Sequence, residues 1–389
     1  MRAFAATRVH WSFVAVLAAG CGLPQDVPTS RQEAESIEPL ADSQRQREID
    51  ILVEEALAPP TITVEPDFTS TLLVPPGDMY DPLGLRPLDS TVWIVDDGRQ
   101  VGPRGGRIWS VDYEGGVSIL VDTPRLLPSV GFDIAPTTFG DFAGELFVLT
   151  QPRAGPPGML ENHVILHLDP DAGEEATPFC TLPPNGTLGN GNAGAGLAAS
   201  FGPPGSPFGD RLFAVTLANS TVYQATSDGT CAPFVTFAGP WFTPNNLAFS
   251  VDGTRMLVTV RSSLGVGAGG APVDGAIVAV APDGTIDSEP VVVVPGEGVL
   301  TLAIAPSTFG AYAGQLFLTA NSGGSRLASG KVYRLAADGQ AHLVASGFGS
   351  PYGMAFADDS LWVTDIGRDY IGGGYHLPDG FVVTIRPSS

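Results

Sequence analysis

The chain has 389 residues, with 41 acidic against 19 basic side chains and a formal net charge of −22. Such an acidic surface argues against nucleic-acid partners and against peripheral binding to anionic lipid. With 49 Gly, 35 Pro and only 15% charged residues, it reads as many tight turns between buried segments.

The first twenty residues form a targeting signal. Arg2 and Arg8 give it a positive start, and residues 11–19 form an apolar core too short to span a bilayer. It ends in Leu17-Ala18-Ala19-Gly20-Cys21, which looks like a bacterial lipobox, so Cys21 is expected to become the lipidated first residue. Gly22 is not an aspartate, which favours an outer-membrane address in the cell envelope. Cleavage leaves a mature net charge of −24, because residues 1–20 hold two Arg and no acids. Residues 21–60 read as a tether, partly disordered. Within it Ile49, Leu52, Val53, Ala56 and Leu57 have the spacing of a short amphipathic helix before Pro59-Pro60.

From residue 61 to the end one phrase recurs six times. An apolar run is followed by a Gly/Pro/Asp turn, a second run ending in polar residues, a third run, and often Asp-Gly before a fourth. The first runs start near Leu85, Phe132, Leu197, Leu247, Leu302 and Met354. Residues 132–148 read Phe-Asp-Ile-Ala-Pro-Thr-Thr-Phe-Gly-Asp-Phe-Ala-Gly-Glu-Leu-Phe-Val. Residues 302–318 read Leu-Ala-Ile-Ala-Pro-Ser-Thr-Phe-Gly-Ala-Tyr-Ala-Gly-Gln-Leu-Phe-Leu, nearly the same sentence. A period of about 50 residues with four short strands predicts an all-β, six-bladed β-propeller. The last copy lacks a fourth strand, and residues 70–74 (Ser-Thr-Leu-Leu-Val) have no blade of their own. Pairing the two would close the ring and remove exposed edges.

In such a meander, turns alternate between the two ends of each blade. The entries to the first strands share one face with the loops between second and third strands. That face carries the long loops 98–107, 152–162, 262–275, 322–330 and 367–380, where binding is expected. The Ala-Pro-x-x-Phe-Gly loops and Asp-Gly turns lie on the other.

Residues 243–253 (Thr-Pro-Asn-Asn-Leu-Ala-Phe-Ser-Val-Asp-Gly) and 350–356 (Ser-Pro-Tyr-Gly-Met-Ala-Phe) resemble the superfamily of gluconolactonase/regucalcin, strictosidine-synthase-like and NHL-repeat propellers. The resemblance covers about residues 62–389 and implies the six-bladed fold. It also implies a divalent-metal ligand at Asn245. The family's second segment supplies a carboxylate that binds metal and acts as general base, and here Tyr352 stands in its place.

Several further residues are candidates from the sequence. Asp96 and Asp365 end second strands at matching positions in neighbouring blades. With Asn245 they would hold Ca²⁺ or another divalent cation through oxygen ligands. The alternative is that each aspartate ends its strand by accepting backbone N–H bonds. His376, in the last long loop, is a weak general-base candidate. His163 and His167 are four apart, but in a β-branched run that separates them by about 13 Å. Cys180 and Cys231 fall near the outer strands of consecutive blades. Export permits a disulfide, but such edges are expected to stand too far apart for the roughly 7 Å between Cα atoms that it needs. Two buried thiols are the other reading. No nucleophile elbow, phosphate-binding loop or dinucleotide fingerprint occurs.

These readings predict a lipid-anchored extracytoplasmic propeller that binds a small molecule, carbohydrate or protein on its long-loop face without catalysis, touching membrane only through its anchor. The alternative is a metal-assisted hydrolase or lyase acting on a lactone or sugar.

Overall fold

In a computed structural model, the structure describes residues 53–55, 57–96, 106–123, 126, 129–150, 164–170, 175–182, 196–216, 220–239, 241, 243–262, 274–322, 329–336, 339–367 and 377–388. The predicted signal with Cys21, His163, His376 and most of each long loop lie outside them. Residues 53–55 and 57 are helical, where the tether's amphipathic pattern sits.

Two strands precede the repeats, β1 (Thr63–Val64) and β2 (Phe68–Met79). Blade one is β3 (Pro82–Pro87), β4 (Thr91–Asp96), β5 (Gly106–Asp112) and β6 (Val117–Thr123). Blade two is β7 (Ser129–Ile134), β8 (Leu146–Thr150), β9 (Val164–Leu168) and β10 (Thr177–Thr181). Blade three is β11 (Gly196–Phe201), β12 (Arg211–Thr216), β13 (Thr221–Thr226) and β14 (Cys231–Thr236). Blade four is β15 (Thr243–Phe249), β16 (Met256–Arg261), β17 (Gly275–Val280) and β18 (Val292–Val294). Blade five is β19 (Glu297–Ile304), β20 (Leu316–Ser322), β21 (Gly330–Leu335) and β22 (Ala341–Phe348). Blade six has β23 (Pro351–Ala357), β24 (Ser360–Asp365) and β25 (Gly380–Pro387). All neighbours pair antiparallel, as six sheets of a six-bladed propeller.

The predicted closure is present. β2 pairs with β25 from Phe68 opposite Pro387 to Met79 opposite Gly380, so the N-terminal strand completes the last blade. β1 adds a fifth strand to blade five, with Thr63 opposite Ser346. That edge has no counterpart in the sequence reading, since two residues carry no readable period.

The repeated Ala-Pro-x-x-Phe-Gly loop fastens one blade to the next. Phe139 and Phe309 are fully buried. Phe139 packs against Phe201 of the next blade at 4.8 Å, and Phe309 against Phe356 at 4.7 Å. In blade three the loop differs, yet Phe208 reaches Phe249 of blade four at 5.2 Å. Each contact joins a loop ring to an inner-strand ring of the following blade, an arrangement stabilised by area burial and ring geometry together.

Cys180 and Cys231 form a disulfide, with Cα atoms 6.2 Å apart. The expectation that neighbouring edges stand too far apart is therefore corrected. The β13–β14 turn leans onto β10, bringing Gly229 close to the Phe179 carbonyl. Cys231 opens β14 directly after that turn.

Candidate functional site

Every inner strand breaks register near its entry to the channel. The shifts fall between Pro82 and Leu85, Ser129 and Gly131, Gly196 and Ala198, Pro244 and Asn246, Val299 and Thr301, and Pro351 and Met354. A bulge leaves backbone groups unpaired, and threonines of the second strands take them up. Thr259 Oγ accepts from Asn246 N–H and donates to the Leu300 carbonyl of the next blade, both at 2.9 Å. Thr364 Oγ accepts from Gly353 N–H at 2.8 Å and donates to the Leu83 carbonyl at 2.9 Å. A Cβ at Gly353 would lie 1.9 Å from that carbonyl oxygen, so only glycine permits the approach.

The residues at the bulges are Leu83, Val130, Leu197, Asn245, Leu300 and Tyr352. Leu83, Asn245 and Leu300 are buried. The nominated ligand Asn245 is engaged at both ends of its amide. Nδ2 donates to the Val299 carbonyl at 3.1 Å, and Oδ1 accepts from Arg261 Nη2 at 3.0 Å. Burial pushes the Arg261 guanidinium below its ordinary pKa, and Tyr352 acts the other way.

Asp96 and Asp365 are fully buried at the expected rim. Asp96 accepts from the Tyr80 and Asp81 backbone N–H groups at 3.0 and 2.9 Å, and from Trp109 Nε1 at 3.1 Å. Asp365 accepts from Ser350 N–H at 3.1 Å and Gly367 N–H at 2.8 Å. Each carboxylate thus ties down the segment that enters its own blade's first strand, which is the strand-ending role. A divalent cation at Asn245 Oδ1 would meet the Arg261 guanidinium, which already donates to that oxygen. That donor set does not fit Ca²⁺, which takes six to eight oxygens. Among the described residues no group of three His, Cys, Asp or Glu side chains could hold a metal. His167 sits on β9 between Glu145 and Thr177, its Nδ1 2.5 Å from Glu145 Oε2 and its Nε2 2.8 Å from Thr177 Oγ.

A cavity of about 910 Å³ lies at the Ala-Pro end of the inner strands. Its wall is uneven. At one level of the inner strands, blades one to three place Arg86, Asp133 and Ser200, and blades four to six place Ala248, Ala303 and Ala355. Asp133 is buried and lies 3.0 Å from Arg86 Nε, whose side chain is 45% exposed. Asp133 also accepts from Ile134 N–H and Phe201 N–H, each at 2.8 Å, and from Ser200 Oγ at 3.3 Å. Burial raises its pKa, opposed by the Arg86 charge and these donors. Sequence reasoning missed this cluster. The available signal was Asp133 against Ala303, a difference between two nearly identical repeats.

No family model matches the sequence, and no curated protein does. Solved structures match over most of the chain. A soluble aldose sugar dehydrogenase from Escherichia coli is 12% identical, covering 82% of this chain and 100% of that one, with a TM-score of 0.53. A gluconolactonase from Xanthomonas campestris is 16% identical, covering 85% and 95%, with a TM-score of 0.50. An auxiliary nutrient binding protein from Bacteroides thetaiotaomicron is 10% identical, covering 82% and 76%, with a TM-score of 0.51. The chain is a six-bladed β-propeller with gluconolactonase-like structural neighbours. At these identities the likeness is one of fold alone.

Proposed function

We propose that the chain is a lipid-anchored, extracytoplasmic propeller that binds a small molecule, carbohydrate or protein on its long-loop face and does not turn it over. The single observation behind the non-catalytic reading is the Arg261 guanidinium held against Asn245 Oδ1. It sets a fixed positive charge where the resemblance calls for a metal, while Tyr352 replaces the carboxylate that would serve as base. The nutrient-binding neighbour is consistent with a binding role. The lipobox ending in Cys21 supports attachment at the cell envelope, at an outer membrane, and the Cys180–Cys231 disulfide suits an oxidising compartment. The second reading, a metal-assisted hydrolase or lyase of lactones or sugars, draws on the gluconolactonase-like neighbours.

The anchoring part is tested by Cys21→Ser. The variant should lose fatty-acid labelling and move to the soluble periplasmic fraction or remain uncleaved. Wild type that never incorporates labelled fatty acid, with a variant that still partitions with membranes, contradicts the lipoprotein reading.

A further inference from the structure

We propose that the channel cavity at the Ala-Pro end is a binding pocket for a compact organic carboxylate, held by the terminal amino groups of Arg86. The site lies at the opposite end from the long-loop face and does not depend on it.

The Asp133 carboxylate is already surrounded. Its Oδ1 faces Arg86 Nε and accepts from Ile134 N–H, and its Oδ2 accepts from Phe201 N–H and Ser200 Oγ. It has little capacity left for a ligand, so it is a positioning residue. What it positions is Arg86, whose Nε lies 3.0 Å from Oδ1 in an ion pair. Among the described residues Asp133 is the only partner of Arg86. Nη1 and Nη2 therefore stand on a half-exposed side chain that lines the cavity. A guanidinium paired with Asp133 and making no hydrogen bond to another described residue can meet the two oxygens of a carboxylate in a bidentate pair.

The alanine half of the wall says where the rest of the ligand goes. Ala248, Ala303 and Ala355 are the small residues of blades four to six at the Arg86 level. Their methyl groups leave the room that larger side chains would fill. A volume of about 910 Å³ suits a small molecule. Pro87, Pro136, Pro203 and Pro306 edge the mouth, so its backbone is stiff before any ligand arrives.

The test is isothermal titration of the full-length mature protein with benzoate and gluconate, their uncharged counterparts benzamide and glucose, and inorganic phosphate. At least one carboxylate should bind with one-to-one stoichiometry, and its neutral counterpart should not. Arg86→Gln should weaken binding about tenfold or more, as expected when a charged hydrogen-bonding partner is lost. Ala303→Phe should weaken it comparably from the alanine half of the wall with Arg86 intact. If Ala303→Phe fails to fold, Ala248→Val makes the same test with less bulk. Absence of binding by either carboxylate, or unchanged affinity in both the arginine and wall variants, overturns the proposal. Tighter binding of phosphate than of either carboxylate overturns the assignment of a planar acid.

Discussion

Arg261 Nη2 donates to Asn245 Oδ1 across 3.0 Å, and the same asparagine donates from Nδ2 to the Val299 carbonyl of blade five. The side chain best placed by resemblance to hold a cation therefore already holds one, a covalently attached guanidinium. The amide also joins blade four to blade five. Asn245 is thus structural on both sides.

The threonine links between blades give a stability prediction. Thr364→Val keeps the shape but leaves the Gly353 N–H and the Leu83 carbonyl without their shared hydroxyl. Each orphaned buried group costs about 1–3 kcal/mol, so with two of them the variant should lose roughly 2–6 kcal/mol in chemical denaturation. Thr259→Val should behave alike. A variant as stable as wild type would remove these hydroxyls from the account of blade docking.

Ring closure gives a second. Removing residues 22–60 deletes no strand of the propeller, and the domain should still melt cooperatively. Removing residues through Val74 takes β1 and most of β2, stripping blade six of its outer strand. Its melting temperature should fall sharply. Equal melting temperatures for the two truncations would contradict the closure.

The disulfide ties blade two to blade three across a sequence separation of 51. Reduction, or Cys180→Ala with Cys231→Ala, should cost about 2–4 kcal/mol. Urea unfolding with and without a thiol reductant measures it. An unchanged midpoint in the reduced protein would mean that the bond adds no stability.

The exposed turn aspartates predict acid sensitivity. Donation from Ser250 Oγ and then from Thr254 N–H lowers the Asp252 carboxyl to about 2. Asp228 is lowered mainly by Thr226, and Asp283 by Thr285. An unfolded aspartate titrates near 3.9. A depressed folded value contributes stability that is present above the unfolded value and is lost as pH falls through the folded one. Melting temperature should therefore drop as pH falls from about 4 towards 2. The variant Asp228→Asn, Asp252→Asn, Asp283→Asn should show a shallower drop over that window, and parallel curves would contradict this assignment.

Much of the fold was legible because strand periods and turn chemistry are local. The runs at Leu85, Phe132, Leu197, Leu247, Leu302 and Met354 all fall in inner strands, and residues 70–74 lie in the closing strand. The matched placing of Asp96 and Asp365 was also readable. Their strand-ending role was open in the sequence, because it depends on where the N–H groups of Tyr80, Asp81, Ser350 and Gly367 come to lie. The disulfide was left open against two free thiols, because strand order does not say how far the β13–β14 turn leans towards β10. Asp133 escaped because a single polar residue in an apolar run has no period. Its meaning emerges only when Arg86 and Ser200 stand beside it in the closed ring.

The most direct test of the central claim, a binding propeller with Arg261 in place of a catalytic metal, uses the mature protein purified without chelator. Metal content, thermal melting with excess Ca²⁺ or EDTA, and hydrolysis of a panel of lactones and esters are measured on the same preparation. The account predicts no bound divalent ion, no shift in melting with either addition, and no turnover. Metal-dependent turnover that is lost in Asn245→Ala and in Asp365→Asn would contradict it and establish the hydrolase reading.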